Sequence, residues 1–249
     1  MSGKSLATLS TYADSTFSAP KERCRRFTGW VLTHAGGTPR SRVLEIGCGT
    51  GSQLFHLAAA LPDATFTGVD ISERNVDLAK NRARELGLQS RIKFVASDYL
   101  ELPFPVNDLI ISYSTLHLIP CDSRLLFGKI SSELIPGGLL MNVMPYECAF
   151  NTLLSGVRAA FAAVRSPLTD LCVFRLAKLF HGHRMDDKSL KERVPYMYQK
   201  LERLDGPALR KQMNEECALE FVTSVPEIHA SLAQAKHRLI VSRKRGSIR

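Results

Sequence analysis

Short apolar runs rich in β-branched residues alternate along the chain with longer segments in which apolar residues recur at helical spacing. Runs of the first kind predict five strands, at residues 43–46, 65–69, 92–96, 109–112 and 139–144. Segments of the second kind predict three helices between them, at 51–61, from the capping Ser72 to Gly87, and at 122–134. This alternation is typical of a mostly parallel sheet flanked by helices.

Residues 145–216 lack the strand pattern and carry three helical patterns instead. Their apolar positions are Phe150, Leu153, Val157 and Phe161 in the first, Leu168, Leu171, Leu176 and Phe180 in the second, and Leu190, Val194, Met197, Leu201 and Leu204 in the third. We interpret this segment as a helical insertion, in which Pro195 starts or kinks the third helix. Two later strands, at 219–225 and 238–242, are too close for a helical crossover, which predicts antiparallel pairing.

The order of these elements predicts an α/β fold with four segments. Residues 1–40 form a helical N-terminal cap, with helix over about 19–34, and residues 41–144 form the core of the sheet. Residues 145–216 form an insertion that we expect to roof a pocket, and residues 217–249 add the strands that complete the core. The predicted sheet has seven strands and is mostly parallel, with an antiparallel last strand.

Composition places few limits on this fold. The 249 residues include 45% hydrophobic and 23% charged residues, which is ordinary for a globular protein. The sequence shows neither a signal-peptide pattern at its start nor an apolar segment of roughly 18 residues, so we expect a cytoplasmic protein without a membrane span. The six cysteines are spaced singly, without a C-x-x-C pair, and are predicted to be reduced thiols.

The formal net charge of +9 leaves two interpretations open. A basic surface attracts nucleic acid or phosphorylated substrates. No aromatic residues are interleaved with the basic clusters to stack on bases, which favours an ordinary solvated surface. The clusters are Lys21, Arg23, Arg25 and Arg26 near the start, and Arg238, Arg243, Lys244, Arg245 and Arg249 near the end.

A glycine-rich turn follows the first predicted strand and precedes a helix. The sequence is V-L-E-I-G-C-G-T-G at 43–51, with glycines at Gly47, Gly49 and Gly51. Glycine allows the backbone to approach a ligand closely and to adopt φ values that a Cβ atom disfavours. A G-x-G pattern alone is a weak signal, but its place between a strand and a helix predicts a ligand-binding turn.

Aspartates follow the next two strands. Asp70 ends the second strand about 20 residues after the glycine turn, where a carboxylate accepts hydrogen bonds from the hydroxyls of an adenosine ribose. Asp98 lies just past the third strand, beside Tyr99 and Leu100, where it would accept from an adenine amine while its neighbours cover the ring. Because the carboxyl ends of parallel strands meet at one edge of the sheet, these features together predict an adenosine pocket.

Charge separates the two cofactor classes that such a pocket takes. A dinucleotide fold has G-x-G-x-x-G and places a pyrophosphate on a helix N-terminus, whereas this chain has G-x-G-x-G followed by Ser52. Glu45, two residues before Gly47, would repel a pyrophosphate. The same carboxylate suits S-adenosylmethionine, which carries an ammonium, a sulfonium and no phosphate. The predicted cofactor is therefore S-adenosylmethionine.

The sequence resembles the class I S-adenosylmethionine-dependent methyltransferases, specifically the small, metal-independent UbiE-like type. The matching motifs, in order, are V-L-E-I-G-C-G-T-G at 43–51, G-V-D-I-S at 68–72, A-S-D-Y-L at 96–100, D-L-I-I-S-Y-S-T-L-H-L at 108–118 and L-I-P-G-G-L-L at 134–140. The resemblance covers about 41–144 closely and the last thirty residues loosely. It implies a Rossmann-like methyltransferase fold.

The resemblance also implies roles for individual residues. The glycines would cradle the methionine part of the cofactor, Asp70 would bind the ribose, and Asp98 with Tyr99 would bind adenine, while residues 112–114 would border the transferring methyl group. The cofactor-binding residues predicted in this way are Glu45, Gly47, Cys48, Gly49, Gly51, Asp70, Ile71, Asp98, Tyr99 and Ser112. Such enzymes usually build the acceptor site from the N-terminal segment and the insertion, which here carry no diagnostic pattern.

Missing motifs narrow the acceptor chemistry. By resemblance, family members that methylate amino groups of nucleobases or glutamine carry Asn/Asp-Pro-Pro-aromatic after the fourth strand, and this chain has S-Y-S-T at 112–115. No cluster of acids suggests a magnesium site, and the histidines of H-G-H at 181–183 lack metal-ligating companions, so no metal is predicted. We assign these histidines to a helix end or a loop.

His117, just beyond the fourth strand, is the best candidate for a general base. Its unperturbed pKa of about 6.5 would leave it largely neutral at physiological pH, but packing is an equally good interpretation. Tyr12 and Phe17 would be lid residues over the cofactor, or core residues. The predicted function is methyl transfer to a small-molecule acceptor in a metabolic or natural-product pathway. The alternatives are an RNA methyltransferase and a catalytically inactive cofactor-binding protein that serves a partner.

Overall fold

The computed structural model describes residues 19–35, 42–181, 187–199, 201, 203–227 and 234–246. Its strands are β1 (Arg42–Ile46), β2 (Thr65–Asp70), β3 (Ile92–Ala96), β4 (Asn107–Tyr113), β5 (Leu134–Pro145), β6 (Leu219–Pro226) and β7 (His237–Lys244). Its helices are α1 (Lys21–His34), α2 (Ser52–Ala60), α3 (Glu73–Glu85), α4 (Ser123–Ser132), α5 (Ala149–Ala163), α6 (Pro167–His181), α7 (Asp187–Met197) and α8 (Pro207–Cys217), with a 3₁₀ turn at Leu116–Leu118.

The strands form one seven-stranded sheet in the order β3-β2-β1-β4-β5-β7-β6. Neighbours from β3 to β5 are parallel, whereas β7 runs antiparallel to both β5 and β6. The first strand, β1, lies in the middle of the sheet. The next two strands, β2 and β3, extend the sheet on one side of β1, and β4 pairs with β1 on the other side. The predicted Rossmann-like sheet with one antiparallel strand is confirmed.

The central strands are buried on both faces, which explains their continuous apolar runs. On one face, Phe27 and Val31 of α1 pack with residues of α2 and α3. On the other face, Leu126 and Phe127 of α4 pack with Met213 of α8. A helical layer therefore covers each side of the sheet, and the predicted functional residues lie at the strand ends.

Strand β5 begins earlier than the sequence predicts. The sequence pattern predicts a helix up to residue 134, a turn at 136–138 and a strand from residue 139. In the structure α4 ends at Ser132, and β5 already pairs with Asn107 of β4 through its first residue. The register shifts across the P-G-G sequence, whose first glycine has φ +80°. These residues therefore form an irregularity within the strand and not a turn before it.

Helix α8 is absent from the sequence prediction. It begins at Pro207, where the N–H that proline lacks would have no partner in the helix. Its buried Met213 and Cys217 join the core cluster of α4, so the end of the predicted insertion packs in the core. The third predicted helix, with apolar positions up to Leu204, is the shorter α7, which contains Pro195. The division into four segments stays a proposal, with α8 assigned to the core.

Helix α1 is fastened to the sheet by an ionic network. Arg26 donates to one carboxylate oxygen of Glu227, and the Tyr113 hydroxyl donates to the other at 2.7 Å. The Arg23 guanidinium lies 4.4 Å from the centre of the Tyr113 ring. Two members of the first basic cluster therefore hold α1 against the ends of β4 and β6, where the sequence favoured a solvated surface.

Candidate active site

The carboxyl ends of four parallel strands meet where the strand order reverses. Ile46 at the end of β1 pairs with Val69 of β2 on one side and with Ser112 of β4 on the other. Asp70, the last residue of β2, pairs with Ala96 of β3. The segments that follow these strands contain the predicted site residues. These segments follow the carboxyl ends of the strands, which is where open α/β sheets bind ligands.

The turn after β1 requires glycine at two positions. Gly47 and Gly51 have φ values of +75° and +76°, which other residues disfavour. A Cβ atom on Gly47 would overlap the Thr115 side chain, and one on Gly51 would lie 2.6 Å from the Phe94 ring. The turn is therefore closely packed, and the loop after β4 lies directly against it.

Asp70 ties the glycine turn to the start of α3. Its Oδ2 accepts from the Gly49 N–H at 2.8 Å, and its Oδ1 accepts from the Ser72 N–H at 2.9 Å. Burial raises the pKa of Asp70, and hydrogen bonds from Ser72, Gly49 and Asn75 oppose this rise. A carboxylate has about four acceptor positions, so three protein donors leave one for a ribose hydroxyl. The sequence predicts acceptance from both ribose hydroxyls, whereas this geometry leaves a position for one, and the ribose contact of Asp70 stays a prediction.

Glu45 is a buried carboxyl group whose Oε2 has no hydrogen-bond partner within the described part of the chain. The residue is 3% exposed. Burial and the Asp70 carboxylate raise the pKa of Glu45 well above its usual range, and Arg23 opposes this rise. A cationic ligand at this end of β1 would lower the cost of the buried charge. The residue therefore fits a cofactor with an ammonium and a sulfonium better than an anionic dinucleotide.

The predicted adenine contacts follow β2 and β3. Asp98 is half-buried, and its Oδ1 accepts from the Leu100 N–H at 2.9 Å, which shapes the turn after β3. Ile71 is half-buried and directly follows Asp70. The structure brings both residues to the same edge of the sheet as the glycine turn. Their contact with adenine stays a prediction.

Tyr99 has partners within the protein core. Its ring stacks on Phe104 with ring centres 5.9 Å apart, and its hydroxyl donates to Glu133 at 2.8 Å. Burial and the Glu133 carboxylate raise the pKa of Tyr99. The side chain thus stabilises the loop after β3 from the core side, and a contact of Tyr99 with adenine also stays a prediction.

The site also contains two uncharged residues, Ser112 near the end of β4 and Cys48 in the turn after β1. The Ser112 hydroxyl donates to the Ile46 carbonyl at 2.9 Å, which links β1 and β4 beside the glycine turn. Burial, together with Asp70 and Glu45, raises the pKa of the Cys48 thiol well above its usual range. The thiol is therefore neutral. These contacts show that both residues help to pack the turn, and their contact with the cofactor stays a prediction.

His117 lies in the 3₁₀ turn after β4, two residues beyond Thr115. Its Nδ1 atom is buried without a hydrogen-bond partner among the described residues, and its ring packs edge-on against His237 with centres 5.8 Å apart. Burial lowers the pKa of His117 well below its usual value. The neighbouring His237, and then Arg158 and Arg203, lower it further. The imidazole is therefore neutral at physiological pH.

Arg203, which follows the insertion helices, clamps the loop that carries His117. Its guanidinium donates to three carbonyls and one hydroxyl of this loop, those of Leu116, Ile119, Cys121 and Ser123. Sequence analysis missed this residue because it lies in a segment without a motif and its partners are mainly backbone groups far earlier in the chain. The position of the His117 loop therefore depends on the end of the insertion.

Several predicted residues lie outside the described part of the chain. These are Tyr12, Phe17, His183 and Arg249. The lid prediction therefore stays a prediction. The backbone of His181 ends helix α6, in agreement with its assignment to a helix end.

Comparisons with known proteins place this geometry in a family. A family model described as a methyltransferase domain matches residues 43–138. The chain is 34% identical over 117 residues to the 27-O-demethylrifamycin SV methyltransferase of Amycolatopsis mediterranei, covering 46% of this chain and 41% of that protein. It is 37% identical over 152 residues to a tRNA (guanine-N(7)-)-methyltransferase of Rubrobacter xylanophilus, covering 52% of this chain and 68% of that protein.

A solved structure shares the fold. The N-methyltransferase NodS of Bradyrhizobium japonicum WM9, in complex with S-adenosyl-L-homocysteine, superimposes with a TM-score of 0.59 and 19% identity, over 96% of this chain and 97% of that one. This chain belongs to the class I S-adenosylmethionine-dependent methyltransferases. The predicted family, fold and cofactor are confirmed, and the UbiE-like subtype stays a prediction. The chain spans less than half of the rifamycin relative.

Glu45→Gln is expected to stabilise the free protein. A raised pKa means that the folded state loses stability as the pH rises above about 4.3, the value of an unperturbed glutamate, because the buried carboxyl group resists ionisation. Glutamine is neutral and of similar shape. We expect a higher Tm than wild type near neutral pH, and a difference that shrinks as the pH falls towards this value. Thermal unfolding followed by circular dichroism measures both.

The same substitution is expected to weaken S-adenosylmethionine binding severalfold, because a bound cation favours the ionised form of Glu45, which glutamine cannot adopt. Calorimetry measures this affinity. Glu85→Gln, at an exposed position of α3, is the matched control and should change neither property. Unchanged Tm and unchanged affinity in Glu45→Gln would contradict the assignment of Glu45 to the cofactor crevice.

Arg203→Lys is expected to lower the free energy of unfolding by about 1 to 2 kcal/mol. Lysine keeps the charge but lacks the planar fork that reaches several carbonyls at once. Hydrogen exchange should accelerate in residues 115–121 and stay unchanged in β2. Arg243→Lys, at an exposed position of β7, is the control. Wild-type protection of the loop in Arg203→Lys would mean that the clamp is dispensable.

Proposed function

We propose that this protein is a cytoplasmic enzyme that transfers a methyl group from S-adenosylmethionine to a small-molecule acceptor. The observation that carries the proposal is the packing of two loops: Thr115, after β4, occupies the space that a side chain at Gly47 would need. The loop of the candidate base is thereby held against the turn that would cradle the cofactor. His117 lies two residues further on. Such fixed alignment of reacting groups is the main requirement of a methyl transfer.

Different residues of the crevice would bind different parts of the cofactor. The glycine turn would hold the methionine part with the Glu45 carboxylate near its positive charges, and Asp70 would accept from the ribose. Asp98 would accept from the adenine amine at the next strand end. The bound cofactor supplies a methyl group on a sulfonium, which is a good leaving group. The chain contributes orientation, exclusion of water and, for a hydroxyl acceptor, removal of a proton.

We assign the removal of this proton to His117. Its neutral form predominates throughout the physiological range because burial lowers its pKa. Its buried Nδ1 has no partner within the described chain, so the ring retains hydrogen-bonding capacity. Arg203 acts as a positioning residue, since it holds the carbonyls on both sides of His117.

A small-molecule acceptor is supported by what surrounds the His117 loop. Arg203 links this loop to the end of the helical insertion, and Arg158 of α5 is near enough to lower the pKa of His117. These contacts bring part of the insertion next to the His117 loop, and we propose that a small ligand is enclosed there. The relative that is named a 27-O-demethylrifamycin SV methyltransferase is in keeping with this acceptor class.

An RNA acceptor is the second candidate. It is favoured by the similarity to a tRNA (guanine-N(7)-)-methyltransferase, of which the chain covers 68%, and by the net charge of +9. Against it, Arg23 and Arg26 of the first basic cluster are half-buried and engaged with Tyr113 and Glu227 of the same chain. These two arginines contribute less to an RNA-binding surface than the sequence suggests.

Methyl transfer from S-adenosylmethionine with a labelled methyl group tests these candidates directly. The protein is incubated in parallel with a mixed small-molecule extract and with bulk tRNA, and the label is followed in each fraction. We expect label in the small-molecule fraction alone. Label in tRNA alone would instead assign an RNA methyltransferase. Retained cofactor binding without label in either fraction would favour the catalytically inactive alternative.

A further inference from the structure

Exposed apolar side chains are concentrated on α5 and α6. Of the fifteen large apolar side chains exposed among the described residues, eight lie within residues 153–180. We call them the apolar helix face; they are Leu153, Val157, Val164, Leu168, Leu171, Leu176, Leu179 and Phe180. Three of them are exposed by 69% or more, namely Leu153, Leu168 and Leu179. A concentration of this kind on a protein surface indicates an interaction site.

The sequence of these two helices explains the exposure. In α5, Leu153 and Val157 are four residues apart, so they lie along one side of the helix, and Val164 follows directly after its last residue. In α6, Leu168, Leu171 and Leu179 repeat at helical spacing on the exposed side. Helix α5 has no acidic residue and one charged residue, Arg158. Ordinary surface helices carry charges where these helices carry leucine and valine.

The charge of residues 149–181 indicates which class of partner the apolar helix face binds. Residues 149–181 contain four basic residues, Arg158, Arg165, Arg175 and Lys178, and one acidic residue, Asp170. Arg165 pairs with Asp170, Lys178 pairs with Asp187 beyond the segment, and Arg158 donates to the Gln199 carbonyl near the His117 loop. Arg175 is thus the cation on the exposed side of α6. In a symmetric dimer built on this face, the same positive segment would meet itself, which is unfavourable. An anionic lipid surface is complementary to both its apolar side chains and its positive charge.

We infer that α5 and α6 dock this protein onto the surface of an anionic phospholipid membrane. None of the described helices is long and apolar enough to cross a bilayer, so the contact is at the interface. The leucines of the apolar helix face enter the boundary between head groups and acyl chains, and Arg175 faces the lipid phosphates. This inference does not depend on the proposed methyl transfer, and its test needs no acceptor.

Co-sedimentation with vesicles tests the inference. The full chain is mixed with vesicles of phosphatidylcholine alone, or of phosphatidylcholine with phosphatidylglycerol, over a range of salt concentrations. We expect binding to the anionic vesicles that weakens as salt increases, and much weaker binding to phosphatidylcholine alone. No binding to anionic vesicles at low salt would overturn the inference.

Two sets of substitutions assign the binding to this face. The triple variant Leu153→Ser/Leu168→Ser/Leu179→Ser should reduce binding at least about tenfold, and Arg175→Glu should reduce it about fivefold or more. The matched controls alter exposed positions on α3, at its end and on α4: Leu78→Ser/Leu86→Ser/Leu125→Ser for the first and Arg74→Glu for the second. They should bind like wild type, and equal losses in variants and controls would contradict the assignment.

Sedimentation velocity distinguishes a second copy of the chain as the occupant. A concentration-dependent dimer that the triple leucine variant abolishes would overturn the membrane inference in favour of self-association. Thermal unfolding verifies that each variant is folded. If the triple variant does not fold, Arg175→Glu and its control Arg74→Glu decide the question alone.

Discussion

Asp70→Ala is expected to weaken S-adenosylmethionine binding by about a hundredfold or more. The carboxylate accepts from the Gly49 and Ser72 amides at 2.8 and 2.9 Å and would accept from the ribose when the cofactor is bound. Buried donors left without an acceptor cost about 1 to 3 kcal/mol each. The substitution therefore removes a ligand contact and loosens the glycine turn at the same time. Calorimetry on the folded variant measures the loss.

Two further variants make this result specific. Asp63→Ala alters an exposed aspartate just before β2 and should bind like wild type. Asp70→Asn keeps one acceptor oxygen, so it should lose less affinity than Asp70→Ala. If folded Asp70→Ala bound the cofactor within about twofold of wild type, the ribose assignment would be wrong, because a lost buried acceptor costs more than this.

His117→Ala is expected to lower kcat by about a hundredfold or more for a hydroxyl acceptor, with cofactor affinity nearly unchanged. A base must be neutral to accept a proton, so activity is lost as the pH falls through the pKa of His117. Because that pKa is well below its usual value, wild-type kcat should persist to a pH clearly below about 6.5. The variant should lack this acidic limb. Steady-state kinetics across pH measures both effects.

The control for this prediction is His56→Ala, which alters a half-buried histidine of α2 and should leave the pH profile unchanged. Full kcat in folded His117→Ala enzyme would eliminate this histidine as the base. An amine or carbon acceptor that is already nucleophilic would then need only alignment by the protein. The His117 ring would in that case be a packing residue against His237.

Local patterns in the sequence were sufficient to predict the sheet and the cofactor class. Continuous apolar runs predict buried parallel strands, and β1 to β5 of the structure are parallel. Gly47 and Gly51 were recognisable because the turn needs positive φ values there. The acidic residues were recognisable by their place at strand ends. Each of these signals lies within a few residues along the chain.

The errors and omissions arose where distant segments decide the structure. The early start of β5 depends on pairing with Asn107 of β4. Helix α8 depends on the contact of Met213 and Cys217 with the α4 side of the sheet. Neither partner is visible in the local pattern.

The sequence by itself therefore determined the class of this protein, its cofactor and the strands whose ends carry the predicted site residues, because spacing and residue type encode them. Only the tertiary structure decided the electrostatic state of the site. Glu45 resists ionisation because it is buried near Asp70, and His117 is a neutral imidazole because it is buried beside His237. Burial and charge at these residues depend on groups that folding brings together, including Arg203.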